Sequence, residues 1–369
     1  VSYLLYSNVL TLLHFTHSGT LQALMKRSIR IPIISVATLA LFLGFHGTSY
    51  AEQSFNDLSE DHPVYEAAEY LKSNGIISGY SDGTFKPDKQ VNRAEALKII
   101  IGTLVTEDQL SIATTTNFSD VPEGSWYLPY VEIAKVNGII DGPPEKDAFN
   151  GESPVKKVEF IKILLLANQV DPNSYSEIQL PLASDVTDTN AWFYPYMRYA
   201  LTASMTMIAQ DGLLHPAREL TRGETALLIY RYLMYKADRR TQALLSETES
   251  EILVILSMLE NNNIEQAEYA SARALLAARG AHASRPNESI VVGALKVSEA
   301  FRALVRAYRS GVNGDFAQVE KLAKDAWSLG EQAKTEEPSL GTLADQVQTI
   351  SQNMAESARN EMDKEEETQ

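Results

Sequence analysis

A chain of 369 residues, 44% of them hydrophobic, is long enough for more than one domain and apolar enough to bury a core along most of its length. Its formal charge of −16 repels nucleic acid and anionic lipid at long range, so an anionic partner must be gripped by locally placed arginine or lysine. The absence of cysteine excludes disulfides, thiolate metal sites and cysteine nucleophiles.

The first 51 residues are read apart from the fold. Met25-Lys26-Arg27-Ser28-Ile29-Arg30 is basic, Ile31 to Phe45 is apolar, and small residues stand at the −3 and −1 positions of a cut after Ala51. That order is the signal-peptide pattern, and the run is short for a membrane span, so residues 25–51 are expected to direct secretion. An uncleaved anchor is the rival reading. Residues 1–24 precede a good start methionine and read as an upstream over-extension, or else as a second apolar segment too polar to span well.

One unit then occurs three times. Phe55-Asn56-Asp57-Leu58 returns as Phe118-Ser119-Asp120-Val121 and as Ala183-Ser184-Asp185-Val186. After each comes a helix-period segment: Tyr65 to Leu71, Trp126 to Val136 and Trp192 to Leu201. Asn74-Gly75 and Asn137-Gly138 are suitable helix ends. The centre of the first copy, Gly75-Ile76-Ile77-Ser78-Gly79-Tyr80-Ser81-Asp82-Gly83-Thr84-Phe85-Lys86-Pro87, reads as a short extended piece and a turn at Asp82-Gly83. The second copy keeps Gly138-Ile139-Ile140-Asp141-Gly142, whereas the third has Ser204 and Ile208 in place of the glycines. A second helix closes each copy, opening at Asn92-Arg93-Ala94-Glu95, Lys156-Lys157-Val158-Glu159 and Thr221-Arg222-Gly223-Glu224. Capping boxes account for the glutamates without any further role. Ser81-Asp82-Gly83-Thr84 offers a single carboxylate, too few for a calcium loop.

The run from Gly75 to Pro87, followed by Asn92-Arg93-Ala94-Glu95, resembles the S-layer homology repeat. The resemblance covers residues 55–105, 118–170 and 183–236, with the second and third copies degenerate. It implies a mainly α fold in which three helix-loop-helix repeats assemble about a pseudo-threefold axis, with ligand grooves between neighbours. It also implies a partner: an acidic, pyruvylated secondary polysaccharide of the bacterial cell wall.

Arg93 and Arg222 fall at the first position of a helix, where capping needs no guanidinium. A five-donor fork beside the unpaired N–H groups of a helix end suits a carboxylate or phosphate. Carried over from the resemblance, these arginines hold the acidic ketal, and Lys157 is a weaker substitute without bidentate geometry. Asp57, Asp120 and Asp185 are N-cap or turn residues, acceptors for sugar hydroxyls, or both. Trp126 and Trp192 either stack on a sugar or fill core, and the first copy has Pro63 at that spacing. Gly79 and Gly142 either admit a ligand to the backbone or supply positive φ. Taken copy by copy, no repeat has a full set.

Beyond Tyr235 aromatic residues thin out and Ala, Glu and Leu rise. Residues 237–369 read as a bundle of five helical segments. Ser246-Glu247-Thr248-Glu249 has the form of a capping box opening the first segment, and the second is expected from Ile264 to Arg279, stopping at Gly280. Leu340, Leu343, Val347, Ile350 and Met354 form a short heptad seam, and the acidic Glu365-Glu366-Glu367 tail is expected to fray. No cofactor, metal or catalytic constellation is evident. The favoured reading is a secreted wall-anchoring protein displaying a helical domain. The alternatives are a wall-attached enzyme, or a surface-layer component that self-associates or meets a protein partner through its C-terminal helices.

Overall fold

The computed structural model describes residues 54–142 and 146–367. The signal-peptide and over-extension readings of residues 1–51 lie outside the described residues. The fold is mainly α, with twelve α-helices among the described residues.

The repeats are pairs of helices: α1 (Tyr65–Ser73) with α2 (Arg93–Ile101), α4 (Leu128–Val136) with α5 (Lys157–Ala167), and α6 (Tyr194–Thr202) with α7 (Arg222–Lys236). A short α3 (Glu107–Ile112), held by a Thr106–Gln109 capping box that the sequence reading passed over, links the first two pairs. The first helix of each repeat ends where the backbone turns left-handed. Gly75 (φ +69°) and Gly138 (φ +68°) do this without strain, and Ser204 (φ +51°) takes the same conformation in the third repeat.

Each repeat packs on the next, and the third closes on the first. The closing helix α2 lies against α4, α5 against α6, and α7 against α1. On the axis, the residues before the closing helices exchange backbone hydrogen bonds in a ring. Val91 N–H donates to Leu220 O at 3.1 Å, Leu220 N–H to Val155 O at 3.1 Å, and Val155 N–H to Val91 O at 2.9 Å. All three side chains are buried, so a non-local core and a closed polar circuit coincide there. The pseudo-threefold arrangement implied by the resemblance is therefore built from backbone as well as from packing.

The C-terminal bundle comprises α8 (Thr241–Glu260), α9 (Ile264–Ser284), α10 (Ser289–Val312), α11 (Phe316–Glu336) and α12 (Gly341–Glu367). Four sequence expectations change here. Helix α8 already begins at Thr241, so Ser246 and Glu249 lie inside it and open nothing. Gly280 does not end a helix, because α9 runs on to Ser284; an added Cβ there would lie 1.8 Å from the carbonyl oxygen of Thr202 in α6. The seam residues Leu340, Val347, Ile350 and Met354 are buried in the bundle's own core and are not available to a second chain. Finally, the acidic tail is helical through Glu367.

Bundle and repeats share a core. Ala272, Leu275, Leu276 and Ala278 of α9, with Leu295 of α10, belong to the same apolar cluster as the repeats. Arg273 spans the junction, pairing with Glu251 through Nε (2.7 Å) and Nη2 (2.8 Å) while Nη1 donates to Leu182 O at 2.8 Å. Two further residues of the C-terminal half, Arg240 and Glu247, hold the strained Ser204. The third repeat, which lacks the turn glycine, is thus supported from the bundle.

Candidate functional site

The closing helices start in the same way. Asn92 and Thr221 accept from the N–H of Glu95 and Glu224, and those glutamates accept from the cap N–H groups at 3.1 Å and 2.9 Å. Glu159 does the same for Lys156 N–H at 3.2 Å. The N–H groups of the first two helical residues are also used. Arg93 and Ala94 donate to Ser153 O and Gly151 O, Lys157 and Val158 to Arg218 O and Pro216 O, and Arg222 and Gly223 to Lys89 O and Pro87 O. This corrects the expectation of unpaired N–H groups at these helix ends. A neighbouring repeat has taken them, and only side chains remain to meet a ligand.

The three basic side chains cross the same boundary. Arg93 Nε donates to Phe149 O at 3.0 Å, Arg222 Nε to Phe85 O at 2.9 Å, and Lys157 Nζ to Leu214 O at 2.7 Å. Both guanidiniums lie over an aromatic ring, Arg93 over Phe149 and Arg222 over Phe85 and Tyr80. Lys157 is buried, and burial followed by repulsion from Arg218 pushes its pKa down to about 8.

The aspartates grip the residues that present those carbonyls. Asp57 accepts from Phe85 N (2.7 Å) and Lys86 N (2.8 Å), Asp120 from Phe149 N (2.7 Å) and Asn150 N (2.6 Å), and Asp185 from Leu214 N (3.0 Å) and His215 N (2.7 Å). Both carboxylate oxygens are engaged, and the second donor in each case has positive φ. The aspartates fix a strained turn, neither capping the first helix nor standing free.

Gly79 and Gly142 are not in the left-handed region. A Cβ on either would lie 2.8 Å from the ring of Phe55 or Phe118, so that ring occupies the space a side chain would need. The third repeat reverses the sizes, with Ala183 at the phenylalanine position and Ile208 at the glycine. Volume is conserved across the pair, which explains Ile208 without reference to a ligand.

Trp126 and Trp192 precede their helices by two residues and are 50% and 56% exposed, so they are not core. Each carries a lysine over its ring, Lys98 at 5.4 Å and Lys162 at 5.7 Å. Neither lysine was singled out from the sequence, although both stand five residues after the helix-opening basic residue, Arg93 or Lys157.

These parts come together between repeats. A groove of about 250 Å³ is lined by Arg93 from the first repeat, by Asp141, Phe149, Glu159 and Lys162 from the second, and by Trp192 from the third. Rotation about the axis gives the corresponding set Arg222, Ser78, Phe85, Glu95, Lys98 and Trp126. The deficit found copy by copy disappears, because each groove takes its arginine, centre and tryptophan from three different repeats. In the remaining position stand buried Lys157, then Met207, Leu214, Glu224, Leu227 and Pro63, with no arginine opening the helix, no tryptophan, and Glu224 paired to Arg218. A larger trough of about 630 Å³, lined by Leu104, Ile112 and Val136, contains no lysine or arginine.

The family model described as "S-layer homology domain" matches residues 54–97 and 117–161. These segments are S-layer homology domains. Among relatives, an amylopullulanase of Thermoanaerobacterium thermosulfurigenes is 28% identical over 52% of this chain and 10% of its own length. A cellulosome-anchoring protein of Acetivibrio thermocellus is 30% identical over 30% of this chain and 25% of its own length. A surface-layer 125 kDa protein of Lysinibacillus sphaericus is 30% identical over 37% of this chain and 11% of its own length. The chain thus spans between a tenth and a quarter of these relatives. The third repeat lies outside the matched segments, yet it shares the aspartate grip and the glutamate bond to the cap N–H with both S-layer homology domains, and the cross-repeat arginine with the first.

Proposed function

We propose that this protein attaches non-covalently to the bacterial cell wall by holding an acidic secondary polysaccharide in the grooves between its S-layer homology repeats. The carrying observation is the half-exposed tryptophan under a lysine, present twice, at grooves that also receive an arginine from a neighbouring repeat. An exposed indole offers a stacking face to a sugar ring, and fixed cations offer partners to its acid group. In a chain of net charge −16 such a local concentration of cations is set against the general field. The residues assigned to the polymer are Arg93, Arg222, Trp126 and Trp192, with the newly identified Lys98 and Lys162. Lys157, Asp57, Asp120, Asp185, Gly79 and Gly142 shape the grooves. A pyruvate ketal is the acid group implied by the family resemblance.

On this reading the protein is secreted, resides at the cell surface and acts as a binding protein, with α8–α12 displayed outward. Relatives named as a cellulosome-anchoring protein and as surface-layer proteins support it. The test is co-sedimentation of the full chain with purified walls, before and after the secondary polymer is stripped. Pelleting that stripping abolishes, and that the Trp126→Ala/Trp192→Ala double variant weakens, supports the proposal. Undiminished pelleting with stripped walls refutes it.

A further inference from the structure

The two tryptophan-bearing grooves are built alike but charged differently. At the position between the paired isoleucines and the glycine, one has Ser78 and the other Asp141. The Asp141 carboxylate is 3.3 Å from Lys146 Nζ and 3.3 Å from Lys162 Nζ, so it neutralises the lysine that lies over Trp192. In the same groove Arg93 Nη1 pairs with Glu159 at 3.2 Å.

In the other groove one compensating anion is absent and the other is engaged elsewhere. Ser78 is neutral and supplies only its backbone carbonyl to Arg222 Nη2, at 2.5 Å. Glu95, the counterpart of Glu159, is held by Lys89 Nζ at 2.7 Å and so is kept from Arg222. The counterpart of Lys89 in the second repeat is Ser153, which leaves Glu159 free to turn to Arg93. Among the described residues neither Arg222 nor Lys98 has a carboxylate in ion-pair range.

We infer that the groove of Arg222, Lys98, Ser78 and Trp126 is the principal site for the anionic group of the ligand, and that Asp141 and Glu159 hold the groove of Arg93, Lys162 and Trp192 in a self-neutralised, weaker state. This rests on the wall-polymer reading above and adds a hierarchy to it. A ligand carboxylate entering the first groove meets two cations, Arg222 and Lys98, that no internal carboxylate neutralises. One entering the second must separate Lys162 from Asp141 or approach an existing anion, and both reduce the net gain. Asp141 is therefore a specificity-determining residue that shifts its groove toward less charged sugars.

The experiment is calorimetric titration of the full chain with acid-released, ketal-bearing fragments of the wall's secondary polysaccharide. Wild type is compared with Lys98→Ala, Lys162→Ala and Asp141→Ser. Among the described residues none of these side chains donates to or accepts from the backbone, and circular dichroism checks that each variant is folded. Lys98→Ala is expected to weaken the tight binding class about tenfold, the scale of one charge-assisted contact. Lys162→Ala should leave that class unchanged, and Asp141→Ser should tighten the weak class and steepen its salt dependence. Equal losses from Lys98→Ala and Lys162→Ala, with no gain from Asp141→Ser, overturn the hierarchy while leaving wall binding intact. No heat from wild type at any fragment concentration overturns both.

Discussion

The guanidinium of Arg222 donates to the carbonyl of Phe85 at 2.9 Å across 137 residues of sequence, and so clamps the last repeat to the first. The same residue stands in the groove. Arginine at this position therefore serves both fold and ligand, and a loss of binding in a variant does not by itself separate the two.

Arg222→Ala is expected to lower stability in urea by about 1–3 kcal/mol, because it leaves the Phe85 carbonyl without its side-chain donor. Arg222→Lys should recover most of that loss, since Lys157 makes the corresponding reach to Leu214 O at 2.7 Å. Wall binding should not recover with it, because the ammonium has no fork to share between a carbonyl and a ligand acid. Parallel recovery of stability and binding in the lysine variant would count against a ligand role.

The Phe55–Gly79 contact gives a second expectation. Gly79→Ala places a Cβ 2.8 Å from the Phe55 ring and 3.0 Å from Thr84 O, and such overpacking costs about 1–3 kcal/mol. Combined with Phe55→Ala, the same substitution should cost much less than the sum of the two single changes. The natural Ala183 and Ile208 pair already represents that solution. A double-mutant cycle by denaturant unfolding measures the coupling; additive changes would show that the ring does not set the glycine.

Lys157 makes stability depend on pH in the alkaline range. Burial lowers its folded pKa to about 8, below the ordinary lysine value of 10.5 in the unfolded chain. Between these values the unfolded state binds more protons, so this lysine's contribution favours folding progressively as pH rises from about 8 to 10.5. Below the folded pKa the penalty of burying the charge applies in full. Lys157→Met removes the titration, so the stability difference between variant and wild type should move toward wild type across that interval. The lost Leu214 contact shifts the difference equally at every pH. A pH-independent difference in paired urea titrations would refute the buried-charge account.

The repeats were legible because each position that fixes them is chemically unusual: an aspartate gripping two N–H groups, a cap residue with a glutamate three residues on, and an asparagine-glycine helix end. Such features belong to one stretch of chain. The groove was not legible copy by copy, because rotation brings Arg93, Lys162 and Trp192 together from three copies. Lys98 and Lys162 look like ordinary exposed helix residues until the neighbouring tryptophan is placed. The bundle's helices followed from periodicity, but their ends did not. Ser246 and Glu249 have the capping pattern inside a helix that began five residues earlier, at Thr241. Periodicity also showed that the Leu340–Met354 stripe is apolar without showing what covers it, and α11 does.

Gly280 illustrates the same limit and supplies the last prediction. A glycine near the end of a helical pattern reads as a stop, yet here the helix continues through it to Ser284, at a cost of about 1 kcal/mol in propensity. The closeness of Thr202 O explains it, because no side chain fits between α9 and α6. Gly280→Leu should therefore pry the bundle from the third repeat, although leucine suits a helix better than glycine. The two parts share a core through Ala272, Leu275 and Leu276, so separation should expose apolar surface and break cooperativity. Wild type is expected to melt in one calorimetric transition and the variant in two, with new proteolytic cleavage near Asp238 and Arg239. A single transition at unchanged temperature would mean that the interface accommodates the side chain and is looser than this close approach implies.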